Sequence, residues 1–360
     1  MKRHGNLFDK IIDRDNLYAA YRKARVAKGW MRAVKRFEKD IEGNIEKIRE
    51  MLVDKTFTTS PYRVKYVYYP KFREIFIVPF MPDRIVQHAL MAVVEPIWDA
   101  MLVDNTVSCR KGRGTEMAFK LAAKYSSTNK YCLKCDISKF YPSINHDILY
   151  SVITRKIKCK DTLWLLKDIV YAFGRQFGTK TNSPIGNYTS QWFGNLYLDI
   201  LDRKAVNEFK VDYIRYCDDF LFFSNDKEKL REIQKILPEF LMEHRKLRLS
   251  KCELFPTSQG LDFVGYRFFP KGYILLRKRV AKVLKRRFKK LHLAYENGKS
   301  IETPRARGQI ASSMGILSRC NAYNFKVSTR FYELVYRARI RPRKRRGNYY
   351  HYLNSIHNKL

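Results

Sequence analysis

Asp218 and Asp219 stand side by side in Tyr216-Cys217-Asp218-Asp219, and 82 positions upstream Asp136 follows the run Tyr131-Cys132-Leu133-Lys134-Cys135. Adjacent carboxylates repel one another and resist burial, so a pair held at a strand turn makes best sense when divalent cations neutralise it. Three carboxylates around two cations roughly 3.5 to 4 Å apart could activate a hydroxyl and stabilise a pyrophosphate leaving group during in-line attack on an α-phosphate. That chemistry is nucleotidyl transfer. One aspartate alone would be read as a cap or turn residue; it is the set, with its basic surroundings, that outweighs this.

The elements that must position these groups are legible around them. Tyr213-Ile214-Arg215 and Phe220-Leu221-Phe222-Phe223 flank the paired aspartates, the pattern of a β-hairpin with carboxylates at its tip. Asp136 falls at the end of a short buried strand. Helices are expected at about 146–157, 187–206 and 227–245, and a strand over 261–268. Strand, helices, hairpin, helix and strand fit an antiparallel sheet of the split βαβ kind backed by helices, an α+β fold. Upstream, 9–53 is helical, 62–79 reads as a basic hairpin with interleaved aromatics, and a helix starts with Asp83 as its cap and runs towards Trp98. Downstream, Val280, Val283, Leu284, Phe288 and Leu291 trace one helical face while Lys and Arg fill the other.

The chain has 360 residues, 45% hydrophobic and 14% aromatic, enough for a sizeable core. Its formal net charge of +37 points to a polyanionic partner and salt-dependent binding. From Lys271 onward there are 24 Lys and Arg against 3 acids, so +21 of this charge lies in the last quarter. A phosphate-tracking face is favoured there over a merely solvated one, and the run Arg341-Pro342-Arg343-Lys344-Arg345-Arg346 extends it. The N-terminus does not resemble a secretory signal, and no apolar run is long enough to span a bilayer, so no membrane partner is expected. Seven scattered cysteines argue for a reducing compartment, hence the cytoplasm. Cys132 and Cys135 form a C-x-x-C, but three-residue spacing in a strand points the two to opposite faces, so they read as core thiols.

Eight blocks, taken in order, resemble the reverse transcriptase family over most of the chain. They are Lys71-Phe72-Arg73-Glu74-Ile75, Asp83-Arg84-Ile85-Val86-Gln87, Arg110-Lys111-Gly112-Arg113-Gly114-Thr115, Asp136-Ile137-Ser138-Lys139-Phe140-Tyr141, Pro184-Ile185-Gly186-Asn187-Tyr188-Thr189-Ser190-Gln191, the Tyr-Cys-Asp-Asp hairpin, Leu249-Ser250-Lys251 and Phe263-Val264-Gly265-Tyr266. The resemblance implies a right-hand polymerase: fingers over 1–130, a palm over 131–270 with a helical fingers insertion near 150–185, and a basic helical thumb and tail over 271–360. It implies two Mg2+ ions, for which Mn2+ can substitute, bound by Asp136, Asp218 and the Ile137 carbonyl with Asp219 assisting. Lys71 and Arg73 would meet the incoming triphosphate, the alternative being a solvated strand face. Lys251 would protonate the leaving pyrophosphate or be a plain surface lysine. Phe263, Val264, Gly265 and Tyr266 resemble the primer grip, although a core strand needs the same apolar character.

Tyr141 stands five residues after Asp136, where the family carries an aromatic gate beneath the nucleotide sugar that favours deoxynucleotides; a core tyrosine is the alternative. Gly186 and Gln191 belong to the block around the nascent pair. Ile185 departs from the Gln common there and is similar to the subgroup of diversity-generating retroelements of bacteria and phages. An apolar side chain cannot hydrogen-bond to the nascent pair, and one neutral hydrogen bond is worth about 0.5–1.5 kcal/mol, a several-fold to tenfold loss of discrimination. The resemblance thus implies error-prone copying opposite template adenines, unless Ile185 only packs a loop. Implied partners are a structured template RNA, the RNA/cDNA duplex, dNTPs and a small, basic, oligomeric accessory protein. Group II intron-like, retron and antiphage reverse transcriptases are the neighbouring readings, and an RNA-binding protein with an idle site is the reading from a different class.

Overall fold

The computed structural model describes residues 3–68 and 72–340, so Lys71 and the basic run from Arg341 lie outside the described residues. Nine strands occur in three sheets among the described residues. The chain divides into two compact units, one built from residues up to Ala118 with Leu133–Leu254, the other from Phe119–Cys132 and the described residues from Phe255 onward.

In the first unit the N-terminal segment forms helices Phe8–Ile12, Arg14–Arg25, Arg32–Phe37 and Ile41–Val53. Asp13 and Asp40 cap two of them by accepting from backbone N–H groups, and Leu17, Ala20, Ile45, Ile48 and Leu52 supply buried faces. Strands β1 (Arg63–Val67) and β2 (Arg73–Ile77) pair antiparallel, with Val67 opposite Arg73. The helix Ile85–Asp99 follows, but Asp83 does not cap it. Asp83 is fully buried and accepts the Ser60 N–H at 2.9 Å, so a tertiary partner has claimed the carboxylate that the local pattern assigned to the helix end.

Strands β3 (Tyr131–Ile137), β4 (Asp212–Tyr216), β5 (Asp219–Ser224) and β6 (Leu249–Pro256) form a four-stranded sheet in the order β4-β5-β3-β6. Phe220 to Phe223 make β5 a continuous buried apolar run, and Tyr213 and Ile214 are buried in β4 beside it, the pattern from which this hairpin is readable. Helices His146–Thr154, Lys160–Phe177, Ser190–Tyr197, Asp199–Arg203 and Lys227–Arg245 belong to the same unit. Cys132 and Cys135 are both fully buried, as core thiols should be, and the Cys135 sulfur lies 3.3 Å from that of Cys252.

The second unit contains β7 (Leu261–Phe263), β8 (Tyr266–Phe268) and β9 (Ile274–Leu276), an antiparallel meander. The single strand expected over 261–268 is therefore two strands folded on each other. Val264 and Gly265 take φ of +38° and +91°, a left-handed pair that reverses the chain, and the apolar residues on both sides hid the turn. The helix Lys278–Glu296 buries Leu284, Phe288 and Leu291 in a cluster with Ile310, Phe331 and Leu334, and leaves Lys278, Arg279, Lys282, Lys285, Arg286, Lys289 and Lys290 exposed. Among the described residues, no helix is long and apolar enough to cross a membrane.

Candidate active site

Tyr216 pairs with Asp219 across the end of the β4–β5 ladder, so Cys217 and Asp218 form a two-residue loop. Such loops need a left-handed residue, and Cys217 supplies it with φ of +57°. Asp218 is thereby presented at the tip and Asp219 at the first position of β5. Since β3 is the other neighbour of β5, the last residues of β3 bring Asp136 to the same edge of the sheet. All three carboxylates are half-buried.

Their environments differ. Asp136 accepts the Ser250 hydroxyl on Oδ2 at 2.5 Å. Asp219 has Oδ2 at 3.5 Å from the Lys134 ammonium, while its Oδ1 is buried with no hydrogen-bond partner. Burial, aided by the negative charges of Asp136 and Asp218 and opposed by Lys134, pushes the Asp219 carboxyl up to about 6. Among the described residues no three His, Cys, Asp or Glu side chains are placed as a formed metal cage. The three aspartates instead make a charge cluster with a buried, unsatisfied oxygen and an all-oxygen donor set, which fits a hard divalent cation.

Without added divalent ions, Asp219 gives a stability signature whose sign is fixed. Its folded pKa exceeds the ordinary aspartate value of roughly 3.9, so the folded state holds the extra proton between these limits. Its contribution is fully present below about pH 4 and is lost as the pH rises through 6. Chelator-treated protein is therefore expected to melt progressively lower from pH 4.5 to pH 7, with that slope flattened in Asp219→Asn. Equal slopes for the two proteins would remove this assignment.

Tyr141 also reaches the tip. Two residues before it, Lys139 with φ of +44° turns the chain out of β3, and the buried phenol lies within electrostatic reach of Cys217 and Asp218. Burial first, and then Cys217, Cys109 and Asp218, raise its pKa well above the usual phenol range. Lys251 is not brought to the carboxylates. Its side chain is 60% exposed and its ammonium faces Glu253 at 3.5 Å, while the preceding Ser250 makes the contact with Asp136. Adjacent strand residues point to opposite faces, so both cannot face Asp136 at once.

The segment Pro184 to Gln191 is fastened by backbone. Phe76 of β2 donates its N–H to the Ile185 carbonyl at 2.8 Å, and Ser190 donates its hydroxyl to Pro184 at 2.7 Å. Gly186 is at φ +134°, where a Cβ would stand 2.1 Å from the Phe76 carbonyl oxygen, so glycine is required by the approach of β2. The Ile185 side chain is half-buried and Gln191 is exposed on the first turn of Ser190–Tyr197. Arg73 is exposed at the start of β2. In the second unit, Phe263 and Tyr266 are buried, Tyr266 donates its hydroxyl to Ile316 at 3.1 Å, and Gly265 accepts the Arg277 N–H at 3.1 Å.

Sequence reasoning passed over Lys134, Ser250, and the buried pair of Arg215 and Asp202. Lys134 lies two residues before Asp136, hence on the same strand face, a signal that was available. Arg215, an arginine beside the apolar Tyr213-Ile214, was also visible, but its partner was not.

The family model described as reverse transcriptase (RNA-dependent DNA polymerase) matches residues 69–268. The Group II intron-encoded protein LtrA of Lactococcus lactis subsp. cremoris is 23% identical over 248 residues, covering 62% of this chain and 41% of that protein. The retron Ec73 reverse transcriptase of Escherichia coli is 29% identical over 145 residues, 34% of this chain and 44% of that protein. The chain thus spans less than half the length of either relative. The solved apo telomerase of Candida tropicalis aligns over 78% of this chain and 63% of its own, with 14% identity and a TM-score of 0.46.

Proposed function

The chain belongs to the reverse transcriptase family, and from that premise we propose that it is an RNA-directed DNA polymerase that extends a primer with dNTPs on a structured template RNA. Its fold is α+β, of the right-hand polymerase class. The observation that carries the reading is the gathering of Asp136, Asp218 and Asp219 at one sheet edge, with an Asp219 oxygen buried and unpartnered. Residues 1–130 act as fingers, 131–270 as palm and 271–360 as thumb and tail.

Asp136, Asp218 and the Ile137 carbonyl, assisted by Asp219, hold two Mg2+ ions, or Mn2+ in their place, which supply activation of the primer hydroxyl and charge neutralisation of pyrophosphate. Ser250 orients Asp136 by donating to its Oδ2. Lys134 keeps Asp219 from swinging away from the sheet edge. Tyr141, seated against the turn at Cys217, excludes a 2′-hydroxyl and so selects deoxynucleotides. Lys71 and Arg73 hold the triphosphate; Gly186 and Gln191 border the nascent pair. Phe263, Val264, Gly265 and Tyr266 grip the primer, and the exposed cations of Lys278–Glu296 follow the phosphates of the RNA/cDNA duplex. Lys251 reaches the leaving group only after parting from Glu253.

Ile185 supports the reading of a diversity-generating retroelement enzyme, served by a small, basic, oligomeric accessory protein. The half-buried side chain offers no hydrogen bond beside the templating position. Ile185→Gln is expected to lower misincorporation opposite template adenine several-fold to about tenfold, read by sequencing cDNA made on a defined RNA. An unchanged error spectrum would leave Ile185 as loop packing. The likeness to a group II intron protein and a retron enzyme supports a second reading, an accurate polymerase of that kind, and the same sequencing separates the two.

A further inference from the structure

Behind the carboxylate tip lies a polar network that no step above has used. Arg215 and Asp202 are both fully buried. The guanidinium donates from Nε to Asp202 Oδ1 at 2.7 Å and from Nη2 to Oδ2 at 2.6 Å, the fork geometry that arginine alone provides. Asp202 is completed by the Tyr213 hydroxyl at 2.8 Å and the Thr106 hydroxyl at 2.7 Å. Asp202 is thus saturated, while Arg215 still has donors to spare. Nη1 and Nη2 donate to the side-chain and backbone oxygens of Asn195, each at 3.2 Å.

One remaining contact points at the site. Arg215 Nη1 donates to the Cys217 carbonyl at 3.0 Å, and the Cys217 N–H donates to Ser108 Oγ at 2.9 Å. Both backbone polar groups of the left-handed turn residue are therefore held from inside the protein. The Cys217 carbonyl belongs to the peptide that begins Asp218, so fixing it fixes the direction in which Asp218 leaves the turn. Ser108 is itself in register. Arg215 donates its N–H to Asn105 and accepts the N–H of Val107, both at 3.0 Å, which places Ser108 two residues beyond the Thr106–Arg215 bridge. Asn195 closes the circuit, since Ser108 Oγ donates to its Oδ1 at 3.3 Å and its Nδ2 donates to the Ser108 carbonyl at 2.9 Å.

We propose that Arg215, locked by Asp202 and seconded by Ser108, is a positioning residue that grips the Cys217 peptide and sets the aim of Asp218. This rests on the reading of Asp218 as a metal-holding carboxylate. A two-residue loop held only by its strand ladder would let its peptide units reorient, and a misdirected Asp218 slows the chemical step without changing what binds. A neutral packing role for the pair would instead affect only stability.

Arg215→Lys keeps the charge for Asp202 but has no fork with which to reach Cys217 as well. In the full-length protein, the expected result is faster hydrogen–deuterium exchange at the Cys217 and Asp218 amides, with the β4 and β5 core amides unchanged. Single-turnover primer extension with Mg2+ should slow roughly 10- to 100-fold, the loss of one charge-assisted hydrogen bond, while the dNTP KM and the RNA/cDNA duplex Kd stay within about twofold. Ser108→Ala removes one hydroxyl and keeps the ion pair, so it carries the test if the lysine variant does not fold; its expected slowing is roughly 3- to 10-fold. Unchanged tip exchange in the variants overturns the proposal. So does exchange that rises over both strands in step with a lowered melting temperature, or a rate that recovers on cooling well below it. The exchange measurement needs no activity, so a wild-type chain that extends no primer would defeat the polymerase reading and leave the grip tested on its own.

Discussion

Asp218→Ala is expected to reduce primer extension on an RNA template by at least about a thousandfold, the scale of removing a group that stabilises charge in the transition state. Asp218 occupies the second position of the tip loop and is half-buried. Truncating it should leave the fold and melting temperature as they are. Duplex affinity should also persist, because it comes from the cationic surface and not from the carboxylates. Wild-type and variant protein compared in single-turnover extension, with duplex binding measured alongside, decide the matter. Equal incorporation by both would remove Asp218 from catalysis, and with it the polymerase reading of the whole cluster.

Asp202→Ala should be the most damaging change for stability. Asp202 and Arg215 have side chains that are 0% exposed, and the deletion leaves a guanidinium in the core without a counter-charge. Burial alone would depress the Arg215 pKa, but Asp202 and its hydrogen bonds hold it above the ordinary range, so the folded site keeps arginine charged. Breaking one side of such a pair costs roughly 3–5 kcal/mol. For a unit of this size that corresponds to a fall of about 10 °C in melting temperature. Denaturant titration reads the loss directly, and a change below about 1 kcal/mol would mean that Asn195 and the Cys217 carbonyl alone can solvate Arg215. The Tyr213 and Thr106 hydroxyls lose their shared acceptor in the same variant, which adds to the penalty.

Much of the fold could be read from local pattern. The hairpin Asp212–Ser224 was legible because its strands are buried on both faces and its tip is polar, a contrast carried by neighbouring residues. The helix Lys227–Arg245 was legible for the same reason, with Leu230, Ile233, Leu237 and Leu241 on one face. Legibility failed at Val264-Gly265, where valine is a poor turn residue and the glycine was taken into a strand. It failed again at Asp83, where a capping motif and a buried tertiary acceptor look identical in sequence. Lys251 and Ser250 show a third limit: strand alternation says that only one of them faces Asp136, but not which.

By itself, then, the sequence determined the chemistry available: three carboxylates at strand ends, a tyrosine five residues after the first, a glycine-bearing block and a large cationic excess. Each of these is a matter of residue type and short-range spacing, which periodicity and turn chemistry translate directly into local structure. Only the tertiary structure decided how the carboxylates are held. Asp219 is left with a buried unsatisfied oxygen, Asp136 is tethered by Ser250 from 114 residues away, and the turn that carries Asp218 is gripped by Arg215 through Asp202 and by Ser108. The Arg215–Asp202 pair behind the turn draws its strength from burial, which removes the water that would otherwise compete for each donor and acceptor. No short window along the chain contains Asp136 with Ser250 or Cys217 with Ser108, and the arginine that reaches Cys217 from two residues away is locked by an aspartate on another element, so this energy enters only when the sheet and its helices have closed around the turn.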